Sequence, residues 1–106
     1  GTEGYFGVLP RHAPMISTLE PGVIDIHQNG SVAERIFVAG GFAEVTETRC
    51  TVLAEDAQVL KDVDTAKVDS EIADLRDDLK DAKEELDRER IERRIKILEA
   101  LRAAAE

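Results

Sequence analysis

The sequence contains no tryptophan, one tyrosine, one methionine and one cysteine. A single cysteine, Cys50, cannot close an internal disulfide, so the chain is not a bridge-stapled scaffold and fits a reducing compartment. Its setting, "RCTVLAE", reads as a strand and gives the expectation of a buried, unreactive thiol. No run approaches the roughly 18 consecutive apolar residues of a membrane span. No cationic-plus-apolar leader opens the chain, and its first residue is Gly1, not Met. Positive charge is also scarce. Fourteen Lys and Arg stand against 23 Asp and Glu, for a formal net charge of -9 at pH 7. That balance argues against nucleic acid, which is recognised through Lys and Arg excess, and is compatible with basic protein partners.

The inventory of chemistry is equally thin. No Ser has a His and an acid set around it, and there is no nucleophile elbow or P-loop. His12 and His27 share no metal-ligand spacing with Cys50 or with each other. Gly4, Gly7, Gly40 and Gly41 do not form a strand, Gly-rich loop and helix, so they read as turns and not as a phosphate cradle. The expectation is a non-enzyme with no catalytic residue, metal or cofactor.

What is present divides in two. Residues 1–61 hold 4 basic and 8 acidic residues, and residues 62–106 hold 10 and 15. All seven glycines and all three prolines also lie in the first part. Such a shift marks an architectural boundary near "LKDVDT", dividing the chain into a β-sandwich domain over 1–61 and a helical hairpin over 62–106.

In the first part, Val23-Ile24-Asp25-Ile26-His27 alternates, placing Val23, Asp25 and His27 opposite Ile24 and Ile26. Asn29-Gly30 follows, a strong hairpin signal because both residues tolerate φ > 0. Arg35 to Ala39 returns as the partner strand. Gly40-Gly41 interrupts, Phe42 to Val45 resumes, and "TETR" turns into Cys50 to Leu53. Short strands at this spacing predict a sandwich or barrel. A core drawn from about sixty residues is marginal, and a four- or five-stranded fragment leaves open edges. Further strands or a partner are therefore expected.

In the second part, Val68, Ile72, Leu75, Leu79, Ala82 and Leu86 follow a 4-3-4-3-4 spacing, a heptad seam. A second seam, Ile91, Ile95 and Leu98 with Leu101 beside it, is offset by the five-residue step from Leu86 to Ile91. One straight helix could not present both to one surface, so two antiparallel helices turning around residues 83–87 are predicted. No Gly or Pro marks that turn, which leaves a continuous helix with a stutter as the alternative. Asp74/Asp78 and Asp77/Asp81 are like-charged i,i+4 pairs, whereas residues 88–102 carry six basic residues against three acidic ones. Folding one helix beside the other relieves both.

These features describe an adaptor: α+β, an antiparallel β-sandwich followed by an antiparallel two-helix hairpin. The function classes left open are a regulatory or coupling subunit and a coiled-coil protrusion or chaperone-like adaptor.

One stretch goes further. "GTEGYFGVLPRHAPMISTLEPGVIDI", with "FVAGGFAEV" and "CTVLAEDA" after it, resembles the epsilon-subunit family of the rotary, proton-translocating F-type ATP synthases. The pattern is Gly4, Gly7, Val8-Leu9, Pro10, His12-Ala13-Pro14, Leu19 and Pro21-Gly22, and it covers residues 1–57. The helical tail agrees in architecture. The resemblance implies a sandwich that normally begins with strands preceding the Gly-x-x-Gly loop, so the first strands are expected to be absent from this chain.

The resemblance also implies a non-catalytic rotor subunit of the central stalk that links the gamma subunit to the c-ring and couples proton translocation to ATP synthesis. It would be peripheral, on the cytoplasmic face of the bacterial inner membrane, and membrane-associated only through the complex. Glu3, Tyr5, Arg11 and His12 would lie in the region facing gamma and the c-ring. Tyr5 stands where an acidic residue is often found, so an aromatic contact would replace an ionic one. The hairpin would be able to open, reach the catalytic alpha/beta hexamer and inhibit ATP hydrolysis, offering Arg88, Arg90, Arg93, Arg94, Lys96 and Arg102 to acidic surfaces. Some bacterial relatives bind ATP through Ile/Leu-Asp-x-x-Arg-Ala. Here the aligned residues are Val63-Asp64-Thr65-Ala66-Lys67-Val68, so Asp64 remains and Lys67 replaces the planar Arg. Weak or absent ATP binding is expected, with Asp64 serving as a helix N-cap.

Overall fold

A computed structural model describes residues 13–106. Glu3, Tyr5, Arg11 and His12 therefore lie outside the described residues.

The β part is two antiparallel three-stranded sheets. Strands β1 (Met15–Leu19), β4 (Gly40–Val45) and β5 (Cys50–Glu55) form one, in the order β1-β4-β5. Strands β2 (Gly22–Gln28), β3 (Ser31–Val38) and β6 (Gln58–Val59) form the other, in the order β2-β3-β6. Among the described residues the chain changes sheet three times. Pro21 sits between β1 and β2, and Ala39 between β3 and β4. Asp56, in left-handed backbone at φ 49°, turns the corner from β5 to β6. Asn29 (φ 53°) and Gly30 (φ 82°) make the two-residue turn of the β2–β3 hairpin, as their sequence predicts.

Gly41 is required by space as well as by conformation. Its φ is 132°, and a Cβ built there would meet the Leu53 carbonyl oxygen at 2.1 Å. This close approach lets β4 lie against β5.

Alternation along β3 sends neighbouring side chains to opposite faces. Phe37, only 1% exposed, packs with Val68, Ile72, Leu98 and Leu101 of the helices. Val38 and Ala43 are buried outside that cluster. Among the described strand residues the sandwich interior is thus thin, while the sheet-to-helix junction is well filled. Ile16, Phe42 and Leu53 remain exposed on the β1-β4-β5 sheet. The thin interior is what a short stretch of strand can bury.

A single 3-10 turn (Leu60–Asp62) leads into α1 (Thr65–Asp81), and α2 (Glu85–Ala104) returns beside it. The hairpin is present, with its bend at residues 82–84, slightly earlier than the sequence predicts, because Glu85 and Asp87 already occupy the first turn of α2. Acidic side chains are favoured there by the helix dipole. Val68 and Ile72 of the first seam and Ile95, Leu98 and Leu101 of the second are buried as read, and Leu75 packs against them. Leu86 is the exception, at 66% exposed. It belongs to the first seam by spacing, but the bend carries it out to solvent.

Cys50 corrects the sequence reading: it is exposed. It starts β5, the outer strand of its sheet among the described residues, and all six residues of that strand are exposed, so strand character did not bring burial.

Candidate functional site

Asp64 opens α1. Its Oδ1 accepts hydrogen bonds from the backbone N–H of Ala66 (3.1 Å) and Lys67 (3.3 Å). This satisfies two of the four N–H groups that a helix start leaves unpaired. Lys67 is exposed on the first turn.

The six basic residues of α2 do not form one patch. Arg88 turns back on the hairpin, its Nη1 donating to the carbonyls of Leu79 and Ala82 at 3.0 Å each. Arg94 reaches Glu71 on α1 at 3.5 Å and Asp56 at the β5–β6 corner at 4.0 Å. Arg102 donates to Asp69 at 2.9 Å. A further pair, Arg76 on α1 with Glu99 on α2 at 2.6 Å, runs with opposite polarity. Among the described residues Arg90 meets only Asp87, one turn earlier on its own helix, at 3.9 Å. Among the described residues Arg93 and Lys96 make no ion pair, and both are exposed. Three cations therefore hold the closed hairpin and three are presented outward.

The acidic face of α1 is relieved less than its sequence suggests. Asp69 and Glu71 reach α2, and Asp77 pairs with Lys80 on its own helix at 3.6 Å. Asp74, Asp78 and Asp81 pair with no cation among the described residues.

Arg93 and Lys96 stand on one wall of a cleft of about 710 Å³ between α2 and the sheet-changing turns, with Leu19, Pro21, Phe42 and Ile97 among its lining residues. The sequence carries no signal of this cleft, because residues 19–21, 39–42, 55 and 93–100 meet only in space. Among the described residues no group of three or more His, Cys, Asp or Glu converges as a metal ligand set. No helix there is long and apolar enough to cross a membrane.

The fold and its surfaces define a class: a small β-sandwich that carries a charged two-helix hairpin. Within that class, the chain belongs to the ATP synthase delta/epsilon family, whose β-sandwich domain matches residues 1–59. It is 53% identical over 100 residues to the ATP synthase epsilon chain of Rhodospirillum centenum, covering 90% of this chain and 68% of that one. It is 49% identical to the epsilon chain of Rhodospirillum rubrum over 104 residues, covering 98% of this chain and 78% of that one. Among solved structures it matches a chain of the Euglena gracilis mitochondrial ATP synthase, in an OSCP/F1/c-ring assembly. That match has a TM-score of 0.73 and 27% identity, covering 99% of this chain and 66% of that one. The chain thus spans about two thirds to four fifths of the relatives' length.

Proposed function

We propose that this chain is a non-catalytic rotor subunit of the central stalk, joining gamma to the c-ring and coupling proton translocation to ATP synthesis. It works at the cytoplasmic face of the bacterial inner membrane, held there through the complex. Kinship at about half identity with bacterial epsilon chains supports the assignment. In this reading the β-module over residues 1–61 is the anchor. Its Glu3, Tyr5, Arg11 and His12 face gamma and the c-ring, and the hairpin over residues 62–106 is a regulatory arm.

The observation that carries the arm is how the hairpin is held. From the sheet side one fully buried side chain, Phe37, enters its core. The ion pairs around it are exposed, and pairs of that kind contribute about 0–1 kcal/mol each. Departure of the arm would expose Phe37 and would free Arg94 and Arg102 to join Arg90, Arg93 and Lys96 against acidic surfaces of the catalytic hexamer. Deleting residues 66–106 is expected to raise ATP hydrolysis by the assembled enzyme; unchanged hydrolysis would leave a coupling role without inhibition. Pull-down from detergent-solubilised membranes, with crosslinks mapped from Tyr5 and Arg94, tests the partners, and recovery without gamma would sink the rotor assignment.

ATP binding through Asp64 and Lys67 is expected to be weak or absent. The Asp64 carboxylate is engaged as an N-cap, and Lys67 lacks the planar fork of arginine. Calorimetric titration giving a micromolar dissociation constant would overturn this.

A further inference from the structure

Asn29 is the only asparagine in the chain, and the fold sets it where its side-chain amide can react with the neighbouring backbone. Asn29 (φ 53°) and Gly30 (φ 82°) are the central residues of the β2–β3 turn, both in left-handed backbone, as in the type I′ turns of tight hairpins. Gln28, Asn29, Gly30 and Ser31 are all exposed. The turn is closed by the residues that flank this pair. Ser31 stands opposite Gln28 in the register, and its hydroxyl donates to the Gln28 carbonyl at 3.3 Å. Among the described residues neither the Asn29 side chain nor the Gly30 N–H makes a hydrogen bond. A Cβ built on Gly30 meets no atom within 4 Å, so no packed neighbour blocks its nitrogen.

That arrangement leaves a nucleophile and an electrophile next to each other in one chain, where holding the reacting groups together replaces a bimolecular encounter. The Gly30 nitrogen, after losing its proton to solvent base, attacks Cγ of Asn29. The new N–Cγ bond closes a succinimide ring as the Cγ–Nδ2 bond breaks and ammonia leaves. Water then opens the ring. Attack at Cγ restores the main-chain peptide and leaves an aspartyl side chain. Attack at the main-chain carbonyl leaves the chain running through Cβ and Cγ, an isoaspartyl link one methylene longer. Either way water is consumed, ammonia is released and an amide becomes a carboxylate, with no change of oxidation state.

Ring closure needs Asn29 to rotate out of its turn conformation, and the contacts that oppose this are few. Opening the tip leaves the far end of the hairpin, where Val23 pairs with Phe37, in register. Local opening of this kind costs much less than global unfolding.

We propose that Asn29 is a covalent modification site, at which the folded protein deamidates itself and gains a negative charge on the tip of the β2–β3 hairpin. The two products differ in structure. Asp-Gly suits the same type I′ turn, so the aspartyl form keeps the hairpin. The isoaspartyl form lengthens a two-residue loop whose length fixes the pairing of Gln28 with Ser31, so that form loses the tip. The inference needs only the turn and stands apart from the rotor reading.

The test follows the intact mass of the full chain during incubation in mildly alkaline buffer. The folded chain is expected to gain the mass of an amide-to-acid exchange, with fragmentation placing it at Asn29 and not at Gln28 or Gln58. Enzymatic methylation of isoaspartyl carboxylates is expected to label part of the product. Asn29→Gly, which suits left-handed backbone and carries no amide, is expected to lose both signals. Phe37→Leu lowers global stability without touching the turn, so it is expected to convert at the unmodified chain's rate. A rate that rises in Phe37→Leu in proportion to its unfolded population would place the reaction in the unfolded chain and overturn the proposal. So would a folded chain of constant mass over a period in which the urea-unfolded chain converts, or a mass gain that persists in Asn29→Gly.

Discussion

Two phenylalanines five residues apart, Phe37 and Phe42, offer a direct measurement of where this protein's stability resides. Phe37, 1% exposed, is the side chain through which β3 enters the core shared with Val68, Ile72, Leu98 and Leu101. Truncating a buried Phe to Ala removes its transfer free energy and leaves a cavity, at a cost of about 3–5 kcal/mol. A small domain has only about 5–15 kcal/mol in all, so Phe37→Ala removes a large share. Phe42, on the next strand, is 54% exposed, and Phe42→Ala is expected to cost about 1 kcal/mol or less. Urea unfolding followed by far-UV circular dichroism measures both. Hydrogen exchange along residues 65–104 then asks whether the loss in Phe37→Ala falls on the hairpin's attachment. Should Phe37→Ala not fold, Phe37→Leu keeps the comparison, since it deletes less volume. Equal costs at the two positions, or a Phe37→Ala cost below about 1 kcal/mol, would refute the assignment of the core to the sheet-to-helix junction.

Other perturbations test single features. Gly41→Ala is expected to destabilise by at least about 2 kcal/mol, measured by thermal or urea unfolding, because a Cβ would strike the Leu53 carbonyl in backbone that L residues rarely adopt. Asp64→Ala is expected to cost about 1 kcal/mol through loss of the α1 cap, with Asp64→Asn nearly neutral; equal losses in the two would show that the cap is not the cause. A double-mutant cycle on Arg102 and Asp69 is expected to give a coupling of about 1 kcal/mol or less that shrinks as salt is added, because both side chains are substantially exposed.

Much of the architecture was legible because it is carried by short-range patterns. The Asn29-Gly30 turn, the alternation along β2 and the seams through Val68, Ile72, Ile95 and Leu98 need only neighbouring residues to be read. Burial was less legible. Cys50 begins a strand and is nonetheless exposed, because burial depends on what covers the strand and not on strand character. Leu86 keeps the seam's spacing but loses its partner to the bend. The candidate site divided in the same way. The positions of the basic residues were plain, but their split into Arg88, Arg94 and Arg102 turned inward and Arg90, Arg93 and Lys96 turned outward was not. Charge is a property of a residue, and pairing is a property of two.

The sequence by itself determined the β-then-α order, the turn at Asn29-Gly30, the two apolar stripes and the kinship carried by the Gly-Pro-His-Ala-Pro stretch. Each depends on dihedral preference or on periodicity within a few residues. Only the tertiary structure decided that the main core joins Phe37 to both helices, that a cleft opens beside Arg93 and Lys96, and that Arg88 closes the bend. Those outcomes bring together residues far apart in the chain, where burial and hydrogen-bond satisfaction outweigh the fractions of a kcal/mol by which local propensities differ. At the bend the contest is visible: Ala82 and Glu84 favour helix by propensity and are nonetheless extended.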